Sequence, residues 1–136
     1  MTTTTEVTKT LVPEAQRERF LPKHLGKNML RFEAMVFDTA SRYSDYTGGY
    51  WEFYELSNGG MFMAPSGGPK DGYHFKNGMN DADAYLSPEA LGIVACLYAF
   101  SHLSFAGDGH AGDLFHLLLD YAYTLPEAAA IGKAID

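Results

Sequence analysis

Between Ser87 and Leu103 lies a stretch that is apolar on nearly every face of a helix, running Ala90-Leu91-Gly92-Ile93-Val94-Ala95-Cys96-Leu97 and on through Ala99-Phe100. A surface helix keeps a polar side, so a helix apolar all round has to be enclosed by the rest of the chain. Ser87-Pro88-Glu89 opens it with an N-cap, a first-turn proline and an acid at the positive end of the helix dipole. The pattern predicts a central helix ending near Leu103. Its uncharged run, Leu91 to Phe100, is about half of the roughly 20 residues a bilayer span requires, which makes it core and not a membrane anchor.

The remaining segments must wrap this helix. Leu11-Val12-Pro13-Glu14-Ala15-Gln16-Arg17 predicts a short helix with Pro13 at its first position, ending before Pro22. From Lys27 to Tyr43, the residues Met29, Phe32, Val36, Ala40 and Tyr43 recur at spacings of three and four, while Lys27, Arg31, Asp38 and Arg42 fall on the other side. That is an amphipathic helix. Gly48-Gly49 breaks it, and the aromatic run Tyr50 to Leu56 suits a strand. Ser57-Asn58-Gly59-Gly60 can turn tightly into Met61-Phe62-Met63-Ala64, with Pro65 as the stop. A second hairpin is expected from Tyr73-His74-Phe75-Lys76 and Met79 to Leu86 around Asn77-Gly78, the strongest short-range hairpin signal. Ser66 to Gly72 reads as a loop and Gly107 to Gly112 as a flexible connection. Leu114, Leu118, Tyr121 and Leu125 outline a further helix, and Pro126 starts a short last one through Ala134.

Helices, then hairpins, then helices define an α+β class, not alternating βαβ units. The expected architecture is a single compact domain over residues 11–136. In it a small antiparallel sheet of two hairpins, about residues 50–86, packs with N-terminal and C-terminal helices, and residues 1–10 form a flexible tail. A length of 136 residues suits one domain with a core of its own.

The net charge of -7 disfavours direct binding to DNA or anionic lipid and favours protein partners. The lone Cys96 sits in the apolar run, so it reads as a buried free thiol suited to a reducing cytoplasm. The start, Met1-Thr2-Thr3-Thr4-Thr5-Glu6, has neither the basic nor the apolar part of a secretory signal, and a cytoplasmic location is expected.

Reactive constellations are sparse. There is no nucleophile elbow, zinc-protease helix, phosphate-loop signature, dinucleotide fingerprint or paired CxxC. Asp108, His110, Asp113 and His116 offer nitrogen and oxygen to a metal, but on a helix the last three spread over about a third of the circumference, and the acids serve equally as helix-start residues. Glu52 and Glu55 lie three apart on a strand and point to opposite faces, which prevents an acid–base pair. Cys96 and His102 are six apart, near opposite sides of a helix. Ser66-Gly67-Gly68-Pro69-Lys70 lacks the following helix a phosphate cradle needs. No catalytic residue, metal or cofactor is expected. Tyr46, Tyr50, Trp51, Phe53 and Tyr54 could stack on bases, but Asp45, Glu52 and Glu55 among them would repel phosphates. An aromatic patch for a protein is the better fit, since Tyr and Trp are favoured anchors at interfaces.

The run from Tyr46 to Pro65, Tyr-Thr-Gly-Gly-Tyr-Trp-Glu-Phe-Tyr-Glu-Leu-Ser-Asn-Gly-Gly-Met-Phe-Met-Ala-Pro, closely resembles the signature region of the ArdB/KlcA antirestriction family. Leu11-Val12-Pro13-Glu14 with Arg19-Phe20-Leu21-Pro22, Leu86 to Ala95, and Pro126 to Ile131 resemble further blocks of that family in the same order. The resemblance implies a small bacterial α+β protein of plasmids and other mobile elements. Such a protein relieves type I restriction-modification of unmodified incoming DNA. The expected mode is binding and not catalysis, with the type I restriction enzyme complex or an associated host factor as partner. The family supplies no catalytic residues. The partner-binding candidates are therefore Tyr46, Trp51, Glu52, Tyr54, Glu55 and Asn58. DNA mimicry is disfavoured, because B-DNA carries a charge about every 1.7 Å, whereas the 17 acids here are scattered among 10 basic residues. Two alternatives stand beside this reading. A DNA-associating protein that blocks translocation needs a contiguous face from Lys23, Lys27, Arg31 and Arg42. A small metal-dependent hydrolase needs His110 and His116 to converge in one pocket.

Overall fold

The computed structural model describes residues 6–136; Met1 to Thr5, the first half of the expected tail, lie outside the described residues. In chain order the elements are β1 (Lys9–Leu11), α1 (Arg17–Leu25), α2 (Met29–Tyr43), β2 (Trp51–Leu56), β3 (Met61–Pro65), β4 (Tyr73–Asn77), β5 (Ala82–Leu86), α3 (Pro88–Phe105), α4 (Gly109–Ala122) and α5 (Ala128–Ile135). The fold is mixed helix and sheet in a single compact domain, as its patterning implies.

Helix α3 is the axis. Every residue from Ala90 to Leu97 is buried, and α2, α4, α5 and β3 pack around it. Ser87 caps it as expected, its side chain accepting from the Ala90 N–H at 3.1 Å. All 18 residues of α3 are apolar enough by composition to cross a membrane, but 61% of them are buried inside this fold. The amphipathic stripe on α2 also behaves as its periodicity demands: Phe32, Val36 and Ala40 are fully buried, while Arg31, Asp38 and Arg42 face outward.

Both hairpins form, but in two sheets. One is three-stranded in the order β1-β2-β3, and the other is β4-β5. Pro65 ends β3 and the loop 66–72 leads the chain away, so the second hairpin buries Tyr73, Phe75, Ala82 and Leu86 against the helices instead of extending the first sheet. The third strand comes from the segment expected to be tail. Lys9, Thr10 and Leu11 pair antiparallel with Leu56, Glu55 and Tyr54, and Thr8 N–H is held by the Ser57 hydroxyl at 2.9 Å. The short β1 covers an edge that β2 would otherwise leave unpaired.

Three further boundaries differ from expectation. Pro13 caps a single 3-10 turn, Glu14–Gln16, and the helix proper then runs through Pro22 to Leu25. Proline in a helix interior removes one backbone hydrogen bond. Here the carbonyl it frees belongs to Glu18, exposed like Pro22 itself, while Phe20, Leu21 and Leu25 are buried on the opposite side and hold the helix in place. Asn77-Gly78 does not make a two-residue turn: Asn77 pairs with Ala82 and four residues intervene, with Asp81 taking the left-handed φ of 56°. Asn77 is recruited away, its amide donating to the Tyr98 hydroxyl at 3.0 Å and its carbonyl accepting from Met79 N–H at 2.9 Å. Finally, most of the expected flexible connection is helix. Asp108 caps α4 by accepting from Ala111 N–H at 3.1 Å, which leaves Ala106 and Gly107 as the linker.

Candidate functional site

Alternation along β2 sends Trp51, Phe53 and Glu55 to one side of the sheet and Glu52 and Tyr54 to the other. The first side is closed by α1 and the segment around Tyr46. Trp51 is only 4% exposed and Tyr46 8%, so neither presents a surface to a partner. The indole Nε1 donates to the Tyr46 hydroxyl at 2.6 Å, and the indole meets Phe37 edge-on with ring centroids 5.2 Å apart. These two residues, expected at an interface, belong to the core. A ring with one polar atom can be buried if that atom finds a partner, and each satisfies the other.

Beside them Phe53 stacks on Phe20, with centroids 5.3 Å apart. The Arg17 guanidinium lies over the Phe53 ring at 4.4 Å and the Tyr50 ring at 4.7 Å, while donating to the Trp51 carbonyl at 2.6 Å. Glu55 is half-buried. It accepts from Lys23 Nζ at 2.8 Å and lies 3.2 Å from His24 Nε2. The Lys23 ammonium holds the Glu55 carboxyl below its ordinary pKa. Burial pushes the His24 imidazole down, against the pull of Glu55 upward.

On the other side Tyr54 is half-buried. It stacks on Phe62 at 4.9 Å, and Phe62 stacks in turn on Tyr121 at 5.7 Å. Lys9 Nζ sits 4.9 Å from the Tyr54 ring and pairs with Glu89 at 2.6 Å. Glu89 also accepts the Tyr121 hydroxyl at 2.7 Å, and burial with that carboxylate raises the Tyr121 pKa. Asn58 is occupied locally, accepting from Gly60 N–H at 2.9 Å and donating to the Leu117 carbonyl at 2.9 Å. Glu52, half-buried, has no side-chain hydrogen bond or ion pair among the described residues. Of the six sequence candidates, Glu52, Tyr54 and the edge of Glu55 reach the surface, Asn58 ties the hairpin turn to α4, and Tyr46 and Trp51 pack the interior.

A second feature lies where the ends of α1, α3 and α4 meet. Lys23, Lys27, Arg31 and His110 line an open groove of about 600 Å³ together with Asn28 and Asp108. Asn28 donates to Asp108 at 2.7 Å, and this bond lowers the Asp108 pKa. Arg42 is elsewhere, paired with Asp38 one turn away at 3.4 Å. The four-residue basic face that DNA association requires is thus not assembled. His116 does not line the groove with His110; its ring meets Phe115 edge-on. Among the described residues no three His, Cys, Asp or Glu side chains come together as metal ligands. Cys96 is fully buried, burial pushing its thiol up to about 12, and it contacts the backbone of Met63.

The sequence marked Glu89 only as a first-turn acid of the central helix and did not single out Arg17 or Glu127. Glu127 accepts from both the N–H, at 2.9 Å, and the hydroxyl of Ser87, locking the start of α3 to the C-terminal segment. None of these partnerships leaves a periodic or spacing signal, since the partners are 32 to 80 residues apart.

A central apolar helix packed between two small antiparallel sheets and further helices defines a compact α+β domain. Residues 44–136 match the family model described as antirestriction protein. The chain is 43% identical to the antirestriction protein KlcA of Escherichia coli over 140 residues, covering 96% of this chain and 94% of that one. It is 42% identical to the protein YfjX of Escherichia coli strain K12 over 135 residues, covering 96% and 89%. A solved structure superposes with a TM-score of 0.87 at 40% identity, over 99% of this chain and 100% of the other. It comes from work on KlcA and ArdB reporting a novel fold and antirestriction activity against type I DNA restriction systems in vivo but not in vitro. The chain belongs to the antirestriction protein family, with KlcA among its relatives.

Proposed function

We propose that this protein relieves type I restriction of unmodified incoming DNA in the bacterial cytoplasm, by binding a protein of the restriction system or an associated host factor and not by imitating DNA. The observation that carries the mechanism is the fate of the carboxylates. A DNA mimic needs a free, regularly spaced acidic array. Here Glu55 is held by Lys23, Glu89 by Lys9 and Tyr121, Asp83 by His74, Asp38 by Arg42, and Asp108 by Asn28. Five of the 17 acids are thus tied to partners in the same chain, and all are interspersed with 10 basic residues, which supports a mode other than DNA mimicry. The activity of KlcA and ArdB in vivo but not in vitro favours a cellular component missing from the purified reaction. The contact surface is the Glu52 and Tyr54 face of β2.

The test is plating of unmodified phage on cells carrying a type I system. The intact protein is compared with a Glu52→Lys, Tyr54→Ala variant whose thermal unfolding shows that it folds. Relief by the intact protein and loss by the variant are the expected results. No relief by the intact protein overturns the function, and equal relief by both overturns the surface.

A further inference from the structure

The groove between the ends of α1, α3 and α4 has a charge opposite to that of the chain around it. The protein as a whole carries -7, yet Lys23, Lys27 and Arg31 converge here. Lys23 is shared with Glu55, but neither Lys27 nor Arg31 pairs with an acid among the described residues. Both are exposed, on the stretch joining α1 to the first turns of α2. The one acid in the lining, Asp108, is engaged by Asn28 at 2.7 Å and by the Ala111 N–H at 3.1 Å. Two unspent cations therefore face a concavity that sits within the size range of small-molecule sites, about 300–1,000 Å³.

The backbone of the groove is open as well. Gly109, at the start of α4, has no positive φ, and a Cβ added there would meet nothing within 4 Å. Neither turn geometry nor packing demands glycine at this position, and a backbone left bare admits close approach of a ligand. The helix behind it runs for 14 residues, and Asp108 caps its start by accepting from the Ala111 N–H at 3.1 Å. Leu25 and Leu103 supply an apolar inner wall against which an organic group can lie.

We propose that this groove binds a small phosphate-bearing anion of the size of a nucleoside di- or triphosphate, with Lys27 and Arg31 holding the phosphates and the bare backbone at Gly109 allowing them in. Arginine and lysine are the side chains suited to phosphate, the first bidentate and the second as a point charge. A duplex is a poor occupant, because Arg42 is not part of the groove and the overall charge repels a long polyanion.

The experiment is titration of the full, isotope-labelled chain at neutral pH with inorganic pyrophosphate, with ATP and, in a third arm, with a short DNA duplex, following backbone amide resonances. Saturable shifts confined to residues 26–31 and 107–111 are expected with pyrophosphate or ATP. A Lys27→Ala, Arg31→Ala variant, changed only at exposed positions, weakens binding by about tenfold or more. Arg42→Ala, a same-charge control outside the groove, leaves binding unchanged. Absence of saturable shifts up to millimolar ligand overturns the proposal. So does undiminished binding by the double variant, or binding of the duplex alone. The readout is binding and not restriction, so it stands or falls apart from the antirestriction reading.

Discussion

Gly92 lies in the second turn of α3, where the helix crosses β3 at backbone contact. A Cβ placed there would sit 2.4 Å from the Met63 carbonyl oxygen, 2.4 Å from Ala64 Cβ and 2.5 Å from Ala64 Cα. Non-bonded carbons are comfortable at about 3.5–4.0 Å, so the helix has to retreat by about 1 Å. The obstructing atoms belong to a strand hydrogen-bonded to β2 and buried along its length, and α3 is hemmed in by α2 and α4. Overpacking of this kind costs about 1–3 kcal/mol. Backbone atoms that cannot rotate aside put Gly92→Ala at the upper end of that range, and the better helix propensity of alanine returns about 1 kcal/mol. The net expectation is a loss of about 2 kcal/mol, which for a domain of this size lowers Tm by about 6–8 °C. Gly132→Ala is the companion: it lies within α5, without positive φ and with nothing within 4 Å of an added Cβ. That change should stabilise by about 0.5–1 kcal/mol. Thermal and urea unfolding followed by circular dichroism measure both. If Gly92→Ala is as stable as the parent, the close approach of α3 and β3 is not what demands glycine, and the reasoning fails.

Trp51→Phe removes the donor to the buried Tyr46 hydroxyl and should destabilise by about 1–3 kcal/mol; an unchanged urea midpoint would place Trp51 outside the core. Cys96, fully buried with its thiol pushed up to about 12, should resist a disulfide reagent at pH 8 until the protein unfolds. Fast labelling of the native chain would contradict its place in α3. Acid should weaken the fold in two overlapping steps. His24 has a lowered folded pKa, so the stability present above its ordinary 6.5 is lost as pH falls through the lower folded value. Glu55 is held down by Lys23, so its contribution is present above its ordinary 4.5 and is lost as pH falls through the depressed value. Glu55→Gln should flatten the second step in a pH series of urea midpoints, and an unaltered profile would remove the Lys23–Glu55 pair as its cause.

Local chemistry carried much of this fold. The all-round apolar run with Ser87-Pro88-Glu89 marked α3, the three-and-four spacing marked the buried side of α2, and Gly59, with φ of 94°, marked the first turn. These are decided within a few residues, by periodicity, capping and backbone sterics, so they can be read in one dimension. What only tertiary structure decided involves residues far apart in the chain. Lys9–Leu11 is a strand because β2 has an edge to pair, and the helix passes Pro22 because Phe20, Leu21 and Leu25 are buried. Asn77 forgoes a tight turn for the Tyr98 hydroxyl. The same holds for the surface. Tyr46 and Trp51 looked like interface aromatics and are core, because each buried polar atom found the other. Conversely, Lys27 and Arg31, which the sequence places opposite the apolar stripe, line an open groove with the ends of α1, α3 and α4 that no local pattern announces. A side chain's type and period are properties of the sequence, but whether it is buried, paired or left facing a groove depends on which distant segment arrives beside it.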